Sequence, residues 1–423
     1  MPGATVFQIA VGLVGSLSVT AAALAYFRRV QLPRPPIGAF NARDLAVLAV
    51  FIVTLPVLYV TVSPAVLTGF LVVTFLSALT IGLRPLFATR TLLVAVPVML
   101  IANLAITRGM DGLGGGLQVY WVSTSIIVAI AAVGVANLYV QGGLELRHIA
   151  WFTLFLGTYD IVFTRVIPLT PELAVALQGR PLDPSVGFAA SGYNANVGLG
   201  DLLVFCLYAT AAYRGYGRRG ALAALGVIAV FGAVAPAVTP LLVPGLFGST
   251  AAAFVPIMTL FGPAAFACHV WLARTSPQRR LRDWLAEHAR LPTAPAPRGG
   301  GGALLPAAAV AALVVATLLL SGDTTPTDAA APPRPSAAAS TTEVAMRNVR
   351  FTPSHITVRA GQTITWTNHD RVPHDVVATK GATFDSDNLD AGGTFSFRAS
   401  APGEIAYVCT LHQGMTGTIT VRP

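Results

Sequence analysis

Ten apolar runs, each close to the length that crosses a bilayer, constrain this chain more than any other feature. A helix rises about 1.5 Å per residue, so roughly 20 apolar residues span the hydrocarbon core of a membrane. Only 11% of the 423 residues are charged, against about 25% in soluble domains. The runs cover 5–27, 44–62, 66–83, 91–107, 119–140, 149–168, 197–213, 221–242, 249–273 and 303–321. We therefore predict a multi-pass α-helical membrane bundle of nine helices, followed by a tenth anchoring helix.

Arginines in the connecting loops predict the orientation of the bundle. Most of them follow the odd-numbered runs: Arg28, Arg29, Arg34, Arg43, Arg84, Arg90, Arg147, Arg214, Arg218, Arg219, Arg274, Arg279, Arg280, Arg282, Arg290 and Arg298. Cytoplasmic loops are enriched in arginine, so we expect an integral cell membrane protein with its N-terminus outside. The longest external loop then spans 169–196. The net charge of +9 belongs to these loops, and no basic face interleaved with aromatics indicates nucleic-acid binding.

Composition divides the chain into five segments. The bundle occupies 1–273, a basic cytoplasmic loop occupies 274–302, and the tenth helix occupies 303–321. Residues 322–342 are rich in Ala, Pro, Ser and Thr, a composition that buries no core and gives an extended tether. Short alternating strands then follow within 343–423, at 344–351, 356–359, 363–367, 394–397, 405–408 and 417–421. Their spacing predicts an all-β Greek-key sandwich outside the membrane.

Soft metal donors gather near the C-terminus. Cys409, His412 and Met415 share one short loop, and His374 precedes Cys409 by 35 residues. One thiolate, two imidazoles and one thioether form the ligand set of a mononuclear electron-transfer copper site, with a His₂Cys plane and a weak axial Met. The plainer alternative is a surface histidine, a buried cysteine and a core methionine that share no metal. Two uses of copper also stay open, namely electron transfer and copper storage or delivery.

The segment 343–423 resembles the cupredoxins, in particular the plastocyanin and amicyanin group. The resemblance rests on Trp366-Thr-Asn368, Val372-Pro-His374, Phe384-Asp-Ser386, Pro402-Gly403 and the Cys409, His412, Met415 loop. It implies one type 1 copper ion bound by the four donors in the roles given above. It also implies a redox protein partner, or a copper donor or acceptor, outside the membrane. Relatives often carry Asn where this chain has Asp375, and we expect an ionised carboxylate there to lower the copper potential.

Two carboxylates lie inside the apolar runs, Asp160 in the sixth and Asp201 in the seventh. An ionisable side chain within a membrane span is costly and indicates a functional site. Asp160 follows Arg147 by 13 residues, and Asp201 precedes Arg214 by 13 residues. Antiparallel neighbouring helices therefore bring both carboxylates to one depth. Two facing carboxylates tend to share one proton, so that one activates a water while the other protonates a carbonyl.

The same region resembles the presenilin and signal-peptide-peptidase group of intramembrane aspartyl proteases. The resemblance rests on Tyr159-Asp160, Gly198-Leu-Gly200-Asp201 and a proline-bearing ninth run. It implies a transmembrane peptide as substrate and catalysis by the two aspartates, supported by Tyr159, Gly198, Gly200 and Pro256. Ala253-Phe254-Val255 stands where the family has Pro-Ala-Leu, which is a departure in the substrate-positioning segment. Two alternatives stay open, a proton or cation path in a transporter and an inactive structural anchor.

Overall fold

The computed structural model describes 2–32, 40–61, 64–109, 116–166, 181–190, 193–242, 256–278, 342–347, 350–370, 374–390, 392–409 and 415–423. Helices make up most of the described chain up to residue 278, and β-strands make up most of it from residue 342 onward. The predicted tenth helix at 303–321 and nearly all of the predicted tether lie outside the described residues.

The helices coincide with the apolar runs. They are α1 Pro2–Arg29, α2 Ala42–Thr61, α3 Pro64–Leu83, α4 Thr89–Gly109, α5 Gly116–Gln141, α6 Leu146–Ile161, α7 Leu199–Val227, α8 Ala235–Leu242 and α9 Ile257–Thr275. A π-helical turn at Val162–Val166 extends α6, and another at Ile228–Val234 joins α7 to α8. In the described part of the chain, five helical stretches are long and apolar enough to cross a membrane. The apolar helical region is thus confirmed, whereas the count of nine helices plus one stays a prediction.

Helix α7 reverses direction at Gly217. This residue has a φ of 64° and a ψ of −147°, a conformation that glycine adopts without a Cβ penalty. Gly220 then packs against the backbone of Ala212, although eight residues of continuous helix would separate the two by about 12 Å. The ring of Phe205 likewise lies against Gly232. The seventh and eighth apolar runs therefore form two antiparallel helices joined at a tight turn.

Helices α6 and α9 pack unusually close together because glycines line their contact. A Cβ atom on Gly262 would overlap the carbonyl oxygen of Thr153, and one on Gly157 would lie 2.9 Å from that of Met258. These two contacts define an antiparallel register between the helices. The register sets the level of Asp160, three residues after Gly157, against the beginning of α9.

A β-hairpin lies in the external loop predicted over 169–196. Strand β1 (Ser185–Ala190) pairs antiparallel with β2 (Tyr193–Gly198), and β2 leads directly into α7. Ser125 of α5 contacts both the N–H and the carbonyl oxygen of Gly187, on the outer edge of β1. The sequence did not predict this hairpin, because the side chain that supports it comes from a distant helix.

The C-terminal strands form two four-stranded sheets. They are β3 Glu343–Met346, β4 Phe351–Thr352, β5 His355–Arg359, β6 Thr363–Asn368, β7 Val377–Lys380, β8 Thr394–Arg398, β9 Gly403–Val408 and β10 Thr416–Arg422. One sheet has the order β5-β10-β9-β7, and the other has the order β4-β3-β6-β8. Inward-facing side chains such as Ile356, Trp366 and Ile419 form their common core. The all-β class is confirmed, and the Greek-key connection stays a prediction.

Two strand predictions need correction. The strand predicted at 344–351 is in fact two strands, because Arg347 and Arg350 exchange backbone hydrogen bonds and turn the chain back as a hairpin. Strand β7 is absent from the prediction. Its side chains run from half-buried to exposed without alternating, so the two-residue period that marks other strands is missing.

Candidate metal centre and carboxylate pair

Three of the four predicted copper ligands lie together at one end of the sandwich. His374 follows β6 and exchanges backbone hydrogen bonds of 3.0 and 2.6 Å with Leu389. Cys409 directly follows β9, and Met415 directly precedes β10. The Cys409 N–H donates to the Met415 carbonyl oxygen at 3.0 Å, so the ligand loop is closed where two paired strands end. His412 lies outside the described residues.

The donor atoms of His374 and Cys409 face each other. His374 Nδ1 lies 3.6 Å from Cys409 Sγ, and both side chains are fully buried. A nitrogen and a sulfur bound to one metal ion at about 2.0 and 2.3 Å are separated by roughly 3.5 Å in a tetrahedral arrangement. Met415 is buried as well. Thiolate, imidazole and thioether are soft donors that suit copper, so the described residues fit this metal.

No other metal cluster competes with this centre in the described ranges. There, His, Cys, Asp and Glu side chains nowhere converge in a group of three or more that would hold a metal ion. The pair of His374 and Cys409 falls short of that number because its remaining predicted donors are a methionine and the histidine at 412. The centre is therefore recognised from its pair geometry together with the sequence of the loop.

Asp370 holds the far side of the His374 ring, with its Oδ2 2.9 Å from His374 Nε2. Asn368, buried at the end of β6, accepts the Asp370 N–H through Oδ1 at 2.8 Å and donates from Nδ2 to the Leu389 carbonyl oxygen. Metal-binding histidines commonly donate their second ring N–H to a carboxylate, which fixes the ring and its tautomer. Sequence reasoning missed Asp370. The available signal is a carboxylate four residues before a ligand histidine.

An aromatic cluster packs beside the metal centre. Tyr407, two residues before Cys409 on β9, meets Trp366 edge to face with ring centroids 5.2 Å apart, and Phe384 packs against Trp366 at 5.7 Å. Burial raises the pKa of Tyr407, so its phenol stays uncharged within the core. Asp375, the residue expected to influence the potential, is also buried, at 5% exposure.

The helices that carry the two predicted catalytic carboxylates, Asp160 and Asp201, pack against each other, and the two groups interact electrostatically. Asp160 Oδ2 accepts the N–H of Met258 at 3.0 Å, at the first turn of α9. Asp201 lies in the first turn of α7. Pro256 is the residue directly before α9. The structure thus places Tyr-Asp, Gly-x-Gly-Asp and the proline of the ninth run in one neighbourhood.

The supporting residues differ in their surroundings. Tyr159 stacks on Phe163 with ring centroids 4.5 Å apart. A Cβ atom on Gly198 would lie 3.5 Å from Asp201 Oδ2, whereas one on Gly200 would meet no described atom within 4 Å. Packing between described helices therefore does not require a glycine at position 200. The segment 253–255, which departs from the protease pattern, lies outside the described residues.

Comparisons with known proteins concern the C-terminal part of the chain. Residues 309–421 match the family model described as a cupredoxin-like domain. Amicyanin-alpha of Methylorubrum extorquens is 33% identical over 86 residues, which are 19% of this chain and 72% of that protein. Plastocyanin of Scenedesmus fuscus is 38% identical over 84 residues, which are 17% of this chain and 86% of that protein. The solved purple cupredoxin from Nitrosopumilus maritimus is 25% identical and covers 19% of this chain and 98% of its own, with a TM-score of 0.18.

Both relatives are more than 30% identical to this chain and are matched over more than two thirds of their own lengths. Cupredoxins of this kind bind one type 1 copper ion and transfer electrons. The buried donors of His374, Cys409 and Met415 fit that cofactor. Through its C-terminal sandwich, the chain therefore belongs to the cupredoxin family.

Proposed function

We propose that this chain is a membrane-anchored electron carrier with one type 1 copper ion. The ligands are His374, Cys409, His412 and Met415. The observation that carries the proposal is the 3.6 Å approach of His374 Nδ1 to Cys409 Sγ in a fully buried pocket. When bound, copper supplies a one-electron change of oxidation state. A redox protein outside the membrane is the expected partner.

The residues around the donors contribute rigidity and the exclusion of water. Backbone hydrogen bonds to Leu389 and Met415 hold His374 and Cys409 in place. Asp370 contacts Nε2 of His374 and Cys409 contacts Nδ1, and these two contacts restrict rotation of the imidazole. A buried site whose donors are held by such contacts changes little in geometry when an electron arrives. This rigidity favours electron transfer over storage or delivery, in which the metal has to leave.

A redox cycle on the purified full-length chain tests this proposal. We expect an intense visible copper–thiolate absorption that bleaches on reduction and returns fully on reoxidation, with copper retained throughout. The double variant Cys206→Ala/Cys268→Ala, which removes the two thiols of the helical region, serves as control and keeps the absorption. Quantitative transfer of reduced copper to a Cu(I) chelator during the cycle would instead support copper delivery.

We further propose that the sandwich lies outside the membrane, with the N-terminus also outside. The proposed segments are the bundle at 1–273, the cytoplasmic loop at 274–302, the tenth helix at 303–321, the tether at 322–342 and the sandwich at 343–423. The loop arginines support this topology. In cells that express Ser340→Cys, a membrane-impermeant thiol reagent is expected to label the chain directly. Labelling of Gln278→Cys is expected only after permeabilisation, and the reverse pattern would overturn the topology.

We propose a second function for the helical region, the hydrolysis of transmembrane peptides. The specific observation in its favour is the hydrogen bond from the start of α9 to Asp160, together with the charge interaction between Asp160 and Asp201. One carboxylate takes a proton from water as the water oxygen attacks the scissile carbonyl carbon. The other, protonated carboxyl group donates its proton to the carbonyl oxygen. The carboxyl group that took the proton from water then gives it to the amide nitrogen as the C–N bond breaks, and the other carboxylate recovers a proton from the adduct as the new carboxyl group forms. Among the described residues, no atom would lie within 4 Å of a Cβ on Gly200, which is compatible with the approach of a substrate backbone there.

Proteoliposomes that contain a model transmembrane peptide test the second function. Asp160→Asn and Asp201→Asn are each expected to stop cleavage, whereas the control Glu145→Gln, at the beginning of α6, keeps it. Proton-coupled cation flux that both aspartate variants abolish, without any cut peptide, would identify the transporter alternative. Wild-type chain with neither activity would identify the inactive anchor.

A further inference from the structure

A cleft separate from both proposed sites lies where the end of α1 meets the Gly217 turn of α7. Its volume is about 150 Å³, and it is open on one side. Its lining consists of Leu24, Arg28, Tyr213, Arg218, Ala221 and Leu222. The loop arginines predict this end of the bundle to be cytoplasmic. The cleft is therefore expected at the level of the lipid head groups.

Two guanidinium groups and no described carboxylate line the cleft. Arg28 lies in the last turn of α1, and Arg218 directly follows Gly217. Both side chains are exposed. The guanidinium carbon of Arg28 lies 5.9 Å from the centroid of the Tyr213 ring, which keeps its charge at the rim. Guanidinium groups present paired N–H donors that match the oxygens of a phosphate.

The rest of the lining is apolar and continues onto the outer surface of the bundle. Leu24 and Ala221 are buried, whereas Leu222 is 70% exposed. A soluble phosphate would use only the arginines and leave this apolar wall uncovered. A phospholipid carries a phosphate directly above acyl chains, which is the order of groups that the cleft presents. Basic pockets between helix ends are known to bind anionic lipid head groups.

We propose that this cleft binds an anionic phospholipid of the surrounding bilayer. Its phosphate lies between Arg28 and Arg218, and an acyl chain runs along Leu222. The proposal rests on the membrane placement of the helices and on neither proposed activity. A lipid bound there connects α1 to the turn of α7, the helix that carries Asp201.

Native mass spectrometry of the full-length chain in detergent, with equal phosphatidylglycerol and phosphatidylcholine, tests the proposal. The wild-type chain is expected to retain phosphatidylglycerol in preference to phosphatidylcholine. Arg28→Gln/Arg218→Gln is expected to weaken that binding by about 30-fold, or about fivefold for each arginine, and to leave phosphatidylcholine binding unchanged. Arg28→Lys/Arg218→Lys keeps the charge but loses the paired donors, so we expect an intermediate loss.

The matched control is Arg29→Gln/Arg90→Gln, which removes two exposed arginines that do not line the cleft. It is expected to bind phosphatidylglycerol as wild type does, and thermal unfolding shows whether each variant is folded. Equal retention of both lipids by wild type, or unchanged binding in a folded Arg28→Gln/Arg218→Gln, would overturn the proposal. Displacement of the lipid by excess inorganic phosphate would also overturn it, since a soluble phosphate would then be the ligand.

Discussion

The metal centre and the carboxylate pair are assembled by different physical means. In the sandwich, Cys409 lies at the end of the paired strands β9 and β10, and His374 forms a backbone bridge with Leu389, so backbone hydrogen bonds fix both positions. In the bundle, Asp160 and Asp201 lie on separate helices that no backbone ladder joins. Their relative depth depends on side-chain packing, such as the close approach of Gly262 to Thr153. A short spacing motif can therefore specify the first site, whereas the second requires knowledge of how the helices pack.

The two sites also differ in whether the contacts of their side chains can be explained by a structural role alone. Both ring nitrogens of His374 face a specific partner, and one of these is a thiol, which a merely structural histidine does not require. Asp160, by contrast, has a structural role as acceptor for the first turn of α9. Variants that separate the helix-capping role of Asp160 from its proposed catalytic role therefore sharpen the comparison most.

The largest expected effect distinguishes the two roles of Asp160. Asp160→Asn keeps an oxygen acceptor for Met258 N–H but removes the acid, whereas Asp160→Ala removes both. We expect both variants to reduce cleavage by about 10²–10⁴-fold. Only the alanine variant should lose stability, by about 0.5–2 kcal/mol, because a helix cap is lost. Proteolysis assays and thermal unfolding measure the two effects, and an active Asp160→Asn would leave Asp160 as a cap alone.

Loss of the carboxylate that holds His374 is expected to have the next largest effect. Asp370→Ala should weaken Cu(II) binding by about 10–100-fold, because a partner of the ligand histidine is removed. A competition titration measures the affinity, and the visible spectrum reports any change in the orientation of the imidazole. Asp387→Ala, an exposed carboxylate in the same sandwich, is the control. Equal affinities in the two variants would contradict an orienting role for Asp370.

A methyl group added between α6 and α9 tests the packing on which the carboxylate pair depends. Gly262→Ala should destabilise the helical region by about 1–3 kcal/mol, since its Cβ would meet the Thr153 carbonyl oxygen. Gly200→Ala is the matched control, because no described atom lies within 4 Å of its Cβ. Denaturant unfolding in micelles compares the two variants. If Gly262→Ala is as stable as Gly200→Ala, the close approach of α6 and α9 is not required.

The smallest expected effect concerns Asp375. If its buried carboxylate is ionised near the copper, Asp375→Asn should raise the reduction potential by roughly 40 mV, which is about 1 kcal/mol of charge interaction for one electron. A redox titration against the wild-type chain measures this shift. An unchanged potential would show that the departure from the relatives' asparagine has no electrostatic consequence.

Sequence reasoning captured groups whose chemistry is rare and whose spacing is short. Cys409 and Met415 share a loop, and the donor types alone indicated copper. Counting residues to the loop arginines predicted a common depth for Asp160 and Asp201, and this depth stays a prediction. Asp370 was not predicted, because its role depends on how the residues after β6 are placed around His374. The β1–β2 hairpin was not predicted, because its support comes from Ser125, a residue that no local pattern connects to it.

Electron paramagnetic resonance and visible absorption of the full-length chain titrated with Cu(II) test the central claim most directly. We predict one copper per chain, an intense thiolate absorption and the narrow copper hyperfine splitting of a type 1 site. All three are expected to disappear in Cys409→Ala and to persist in Cys206→Ala. A pale copper complex with a wide hyperfine splitting that Cys409→Ala leaves unchanged would contradict the account.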